Sequence, residues 1–285
     1  MKNIFFLLCT IGFIVSSGCR EAGPNINLSG TDVDTTGSGG VDSTQQKNVL
    51  LEDFTATNCP NCPKARKISD DLVGSYPGRV IVVSVHQGIL SVPMLPGDPV
   101  LKTQDGEDLA AFLGPPPFWP VGAVDRVAFE IAPDDFEVLV DRGFWSTYVP
   151  QELDSTLKVK LGISTNYDDA SRLLTGSVTV NFLETISDPL SLTVLITESG
   201  IIAGQIDGVI LDTFYVHRDV MRDIITNYAG NSITGDQSGG SLWTYNISAY
   251  HVGDDWNADS CRIVAFVSRA TGSYQVLQVI EESLK

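Results

Sequence analysis

The rhythm of apolar and polar residues changes about halfway along the chain. In the first half, short and nearly continuous apolar runs alternate with helical spacing. "NVLLEDF" (48–54) and "GRVIVVSVH" (78–86) are Val-, Ile- and Leu-rich runs of the kind a strand buried on both faces requires. Between them Ala65, Ile68, Leu72 and Val73 fall on one helical face with Lys and Asp on the others, which predicts a helix from Pro60 onward. "GEDLAAFLG" (106–114) predicts a short helix, "VGAVDRVAF" (121–129) a further strand, and "PDDFEVLVDRGFWSTYV" (133–149) a connecting helix. Strand, helix, strand, helix, strand is an α/β order.

From about residue 155 the pattern becomes strict alternation. "TLKVKLGIS", "LTGSVTVNF", "LSLTVLIT", "RIVAFVSR" and "SYQVLQVIE" are separated by Gly, Asp, Ser and Pro clusters, which indicates an antiparallel β-sandwich. Within this region Val216, Val220 and Ile224 stand at helical spacing in "YVHRDVMRDIITNYAG" (215–230) and predict a helix crossing the sandwich. The expected organisation is an α/β domain over 48–152 followed by an all-β sandwich over 153–285.

The N-terminus adds a compartment. Lys2 precedes an apolar run over residues 4–15, and Ser16, Ser17 and Gly18 lead into Cys19. The run is too short to span a bilayer as a mature helix and has the anatomy of an export signal. Small residues ending in a cysteine resemble a bacterial lipobox, in which the thiol takes a diacylglyceryl group and becomes the new N-terminus. That resemblance implies a signal peptide over 1–18 and a lipid anchor on Cys19 in the outer membrane, facing the periplasm or the cell surface. Acyl chains contribute roughly 0.8 kcal/mol per buried CH2, so several of them anchor a chain stably. Residues 19–47 are rich in Gly, Ser, Thr and Asp, cannot build a core, and read as a flexible tether. "DTT" (34–36) and "DST" (42–44) resemble a short O-glycosylation signal. "DVDTTG" opens like a calcium loop but fails as one, because the twelfth position from Asp32 is Ser43 and not the bidentate Glu such a loop needs.

Formal net charge is -17, with no basic stripe, which argues against nucleic acid and anionic headgroups as partners. Of the five cysteines, Cys9 leaves with the signal and Cys19 is consumed by lipid, leaving Cys59, Cys62 and Cys261 where disulfides persist. Cys261 is the odd one out and opens a strand as a buried, inert thiol. Two residues separate Cys59 from Cys62. That spacing serves thiol–disulfide exchange, half of a metal site, or an inert crosslink. No second cysteine pair supports a metal, so neither a metal nor a cofactor is expected. A hydrolase has no nucleophile elbow here. His86 ends a strand and reads as a surface or capping residue, and His217 with Arg218 as a structural pair.

The cysteines sit where a strand hands over to a helix, whose N-terminus offers free N–H groups that stabilise a thiolate at Cys59. "VLLEDFTATNCPNC" resembles the corresponding segment of thioredoxins, in which an Asp-Phe pair lies six and five places before the first cysteine, as Asp53 and Phe54 do. The resemblance implies an exposed nucleophile at Cys59, a buried resolving thiol at Cys62, and a buried carboxylate at Asp53 that takes the Cys62 proton. It also implies a cis-proline facing the disulfide, best matched by Pro120 in "FWPVGAVDR". Asn58 stands where an aromatic is usual, and Pro60-Asn61 replaces Gly-Pro, so the redox potential is open.

Over nearly the whole mature chain the layout resembles the Omp28-related family of Gram-negative outer-membrane lipoproteins, on "LLEDFTATNCPNCP", "WPVGAVDR", "HRDVMR" and "DDWNADSCRIVAFVSRATGSYQVLQV". The resemblance implies a thioredoxin-like domain followed by an immunoglobulin-like β-sandwich. The function expected is a membrane-anchored thiol–disulfide oxidoreductase acting on envelope protein thiols or disulfides, with the sandwich docking protein partners. The rival is a surface binding lipoprotein whose Cys59–Cys62 disulfide is only structural.

Overall fold

The computed structural model describes residues 41–285. The expected signal peptide, the expected lipid anchor at Cys19, the expected tether up to residue 40 and the "DTT" triplet lie outside the described residues. In the first half β1 (Val49–Thr55), α1 (Cys62–Ser75), β2 (Val80–His86), α2 (Gln104–Leu113) and β3 (Val121–Val124) follow one another. They lead into three short strands, β4 (Phe129–Ala132), β5 (Asp135–Glu137) and β6 (Val140–Asp141), and then α3 (Trp145–Leu153). The remainder is strand: β7 (Val159–Asp168), β8 (Leu173–Phe182), β9 (Leu190–Glu198), β10 (Ile201–Asp207), β11 (Ile210–His217) and β12 (Val220–Ile224). After these come β13 (Asn231–Ser232), β14 (Leu242–His251), β15 (Cys261–Arg269) and β16 (Val276–Ser283).

The expected fold class, an α/β thioredoxin-like domain followed by a separate all-β immunoglobulin-like sandwich, is corrected by this topology. The described chain is predominantly β, and one nine-stranded mixed sheet, in the order β16-β15-β9-β12-β2-β1-β3-β6 with the short β13 also paired to β9, runs through both halves. β12 makes the junction, parallel to β2 through Val220 and Ser84 and antiparallel to β9. This strand comes from the segment whose spacing predicts a crossing helix. Residues 215–230 instead supply the end of β11, a turn with Asp219 at φ 53°, and β12. The physical reason is local: Asp219 sits in left-handed backbone, which a helix interior does not accommodate, and the segments on either side of it pair as strands. The connecting helix is likewise shorter than expected, because residues before Trp145 pair as β4, β5 and β6.

Three cores follow from side-chain parity. Leu190, Leu192, Val194 and Ile196 of β9, with Ile263, Ala265 and Val267 of β15, pack against the three-stranded sheet β14-β8-β7. The opposite parity, Leu195, Val264 and Phe266, joins Leu50, Phe54, Val83 and Val85 in a core that includes Leu109 of α2. This is why β9 is buried at all nine positions, where an alternating strand would leave half of them wet. On the remaining face Val49, Leu51, Val80 and Val82 pack with Ala65 and Leu72 of α1 and with Trp145 and Val149 of α3. The last tether residues reach the fold as well: Gln45 exchanges hydrogen bonds with the backbone of Leu161, and Lys47 pairs with buried Asp125. No helix among the described residues is long and apolar enough to cross a membrane.

Gly122 shows how tightly α3 is seated. A Cβ there would stand 2.6 Å from Trp145 Cζ2, and Trp145 is fully buried. Gly122→Ala is therefore expected to destabilise the fold by about 1–3 kcal/mol in urea unfolding, since the indole has no room to retreat. An unchanged midpoint would show that α3 shifts freely.

Candidate functional site

The strand parity that builds the α1 face also brings polar groups to one end of it. Asp53 and Thr55 on β1, paired in register with Ser84 and His86 on β2, continue the row begun by Val49 and Leu51. The chain then turns through Asn58 and Cys59, and α1 begins at Cys62 with Asn61 as its N-cap. Asn61 makes no side-chain capping bond, and no acidic residue lies in the first turn. The Cys62 amide donates to the Cys59 carbonyl at 3.3 Å. The two sulfurs form a disulfide with a Cα–Cα distance of 5.5 Å.

This disulfide is covered. Cys59 is 2% and Cys62 3% exposed, and both pack with Ala56, Leu90 and Trp119. The Trp119–Pro120 peptide is cis, and Trp119 lies so close to Gly88 that a Cβ at Gly88 would meet its ring at 2.4 Å. The other cover comes from the second half of the chain. Gln205 Nε2 donates to the carbonyls of Ala56 and Cys59, each at 3.2 Å. The Ile206 amide donates to the Thr57 carbonyl at 2.9 Å, and the Gly208 amide to the Pro60 carbonyl at 3.0 Å. An exposed nucleophile at Cys59 is therefore not what the fold presents.

Behind the disulfide lies a cavity of about 20 Å³, lined by Asp53, Cys62, Arg66, His86, Tyr215 and His217 among others. It has room for about one water. Three buried side-chain atoms around it lack a hydrogen-bond partner: Asp53 Oδ1, His86 Nδ1 and His217 Nε2. Burial pushes the Asp53 carboxyl up to about 7, against the opposing charge of Arg66. Burial also holds His217 down to about 4 and, with the charge of His217, keeps His86 well below its ordinary value. The two imidazoles stand 5.3 Å apart, edge to face. Arg66 is itself held by Asp70 at 2.6 Å and Asp219 at 2.8 Å. Such a pocket keeps its two histidines neutral and leaves Asp53 as the group that can take up or release a proton near neutrality.

The sequence-derived residues thus converge: Asp53, Cys59, Cys62 and Pro120 surround one place. No local pattern points to Gln205, Tyr215 and His217 there, because they arrive on a hairpin some 150 residues away in sequence. His86 is buried in the cavity wall and not a surface cap. His217 faces the cavity, while its neighbour Arg218 pairs with Asp70 at 3.2 Å. Cys261 is buried, its thiol pushed up to about 12 by desolvation, and it lies in another part of the fold. No group of three or more His, Cys, Asp or Glu among the described residues is placed to hold a metal ion. A larger cleft of about 460 Å³, lined by Gln45, Ile81, Leu161, Arg262 and Glu281 among others, lies away from the cysteines. Arg262 and Glu281 pair with each other there at 3.3 Å, and the acidic Asp42 and Glu282 also line that cleft.

Comparison with known proteins places these features in context. A family described as outer membrane protein Omp28 matches residues 120–285, more than half of the chain. HBP35 of Porphyromonas gingivalis is similar in structure, with a TM-score of 0.64 at 19% identity over 85% of this chain and 76% of that one. Protein AGR_C_4864 of Agrobacterium tumefaciens gives a TM-score of 0.51 at 12% identity, over 85% of this chain and 97% of that one. At such identities the likeness concerns the fold alone. No curated protein matches the chain.

Proposed function

Because this chain belongs to the Omp28 family of outer membrane proteins, we propose that it is an envelope binding protein, lipid-anchored through Cys19, whose Cys59–Cys62 disulfide serves structure. The observation that carries the reading is the burial of Cys59, 2% exposed beneath Trp119, Leu90 and the Gln205 amide. A sulfur in that position is shielded from a protein-sized reaction partner, and a shielded disulfide persists. The anchor would tether the folded part at the outer membrane, and residues 153–285 would dock envelope proteins. The test is a Cys59→Ser, Cys62→Ser double variant. Closing so short a loop stabilises by about 2 kcal/mol, so unfolding should shift by that amount while envelope-protein binding is kept. A reduction potential below roughly -300 mV is expected with it.

One observation favours a second reading, thiol–disulfide exchange. Asp53 is buried, lacks a partner on Oδ1, and lines the same cavity as Cys62. In the reduced protein the Cys59 thiolate would attack an envelope disulfide, forming a mixed disulfide and expelling one partner thiolate. Cys62, its proton passing to Asp53, would then attack the Cys59 sulfur, releasing the second partner thiolate and re-forming Cys59–Cys62. Pro120 would flank the partner segment. Turnover of a scrambled or insulin substrate above that of a Cys59→Ser control decides for this reading and against the structural one.

A further inference from the structure

The hairpin formed by β10 and β11 is built inside out. These strands pair only with each other. The inner face carries Ala203, Gln205 and His217, all buried, with Gln205 on the Cys59 carbonyl and His217 in the cavity beside Cys62, while Ile202, Phe214 and Val216 are exposed and Val209 and Ile210 stand at the tip. Not one residue between Ile201 and His217 joins any of the hydrophobic clusters of the fold. Apolar burial, which fixes the central strands of the large sheet, does not fix this separate pair.

What holds the hairpin down is polar and few in number. Gln205 reaches the carbonyls of Ala56 and Cys59, and the amides of Ile206 and Gly208 reach Thr57 and Pro60. The Gly204 amide adds a bond to Asp98 Oδ2 at 3.0 Å. Against these stand the unpartnered atoms the hairpin helps to enclose, His217 Nε2 on its own side and Asp53 Oδ1 and His86 Nδ1 across the cavity. Each would regain hydrogen bonds to water if the hairpin lifted. Segments with little apolar contact open at lower free energy than the core. The base is shaped as a hinge. Gly200 sits at φ 82° and Asp219 at φ 53°, and Ser199 Oγ donates to Asp219 Oδ1 at 3.1 Å, clasping the two ends together.

We propose that the β10–β11 hairpin is a hinged cover over the Cys59–Cys62 disulfide, and that a thiol reaches Cys59 only when this cover lifts. The use of such a gate in the cell rests on the exchange reading above; the gate itself does not. When the cover is down the disulfide is structural in behaviour, and when it is up Cys59 meets an incoming thiolate. That thiolate bonds to the Cys59 sulfur while Cys62 leaves as the thiolate.

The test measures reduction of Cys59–Cys62 in the full folded chain by excess dithiothreitol, in native buffer. Gln205→Ala removes two of the hairpin's bonds to the cysteine segment and should speed reduction at least about fivefold, with the global unfolding midpoint little changed. Hydrogen exchange on the unaltered protein gives an independent measure. The Ile206 and Gly208 amides should exchange well ahead of the Leu192 and Val194 amides of the central sheet. The proposal is overturned if Gln205→Ala leaves the reduction rate unchanged, or if those two amides exchange only with global unfolding. Faster reduction in Gln205→Ala without protein-disulfide turnover above a Cys59→Ser control would uphold the cover and reject the exchange reading.

Discussion

Replacing Arg126 by Ala is expected to destabilise the fold by about 3–5 kcal/mol, a large share of the total stability of a typical folded chain. Arg126 is 1% exposed and Glu52 0%. Two parallel bonds join them, Arg126 Nε to Glu52 Oε2 at 2.8 Å and Nη2 to Oε1 at 2.6 Å. The guanidinium also lies 4.8 Å from the centre of the Phe266 ring, so one side chain links β1, the turn after β3, and β15. Attraction between the pair roughly offsets the cost of drying both charges; removing only one leaves a buried charge with no compensation. The remedy is to remove both. Glu52→Gln with Arg126→Met should recover most of the loss, because neither charge then needs water. Urea unfolding of the two singles and the double measures the coupling. A loss below about 1 kcal/mol in Arg126→Ala would mean that water reaches Glu52.

Asp53→Asn should stabilise the protein at pH 8 by about 4 kcal/mol and leave it unchanged near pH 4. The carboxyl ionises near 3.8 when unfolded and near 7 in the fold, raised by burial. Between those values the folded chain keeps a proton that the unfolded chain has released, so stability falls as pH rises across that window. At about 1.4 kcal/mol per pH unit the loss approaches 4 kcal/mol and is complete above pH 7. The amide carries no charge to desolvate and escapes it. His86 and His217 act in the opposite sense, since both are held neutral in the fold and their contribution is lost as pH falls below the unfolded value of 6.5. The comparison must therefore be variant against parent at each pH. A gain at pH 8 no larger than at pH 4 would exclude a buried, reluctant carboxylate at position 53.

Much of the fold is legible as local pattern. The apolar runs of β1 and β2, the helical face of Ala65, Ile68 and Leu72, and the alternation of β7 and β8 all reflect spacings that one segment carries alone. The segment around Val220 misleads for a physical reason. Val216, Val220 and Ile224 satisfy helical spacing, yet Val220 and Ile224 are needed as a strand between β2 and β9, where sheet bonding and burial on both faces outweigh local periodicity. A strand buried on both faces shows no alternation, so nothing in its own residues separates it from a short helix.

By itself the sequence determined the cysteine pair at a strand-to-helix junction, the Asp53 offset before it, and the family signature toward the C-terminus. These depend on neighbours along the chain. Only the tertiary structure decided that the two halves share one sheet, that Glu52 and Arg126 meet, and that a polar-faced hairpin roofs the disulfide. Each of these joins residues some 70 to 150 positions apart in the chain. Such contacts are selected by the burial and hydrogen bonding they achieve together, and no single segment records that in its own pattern.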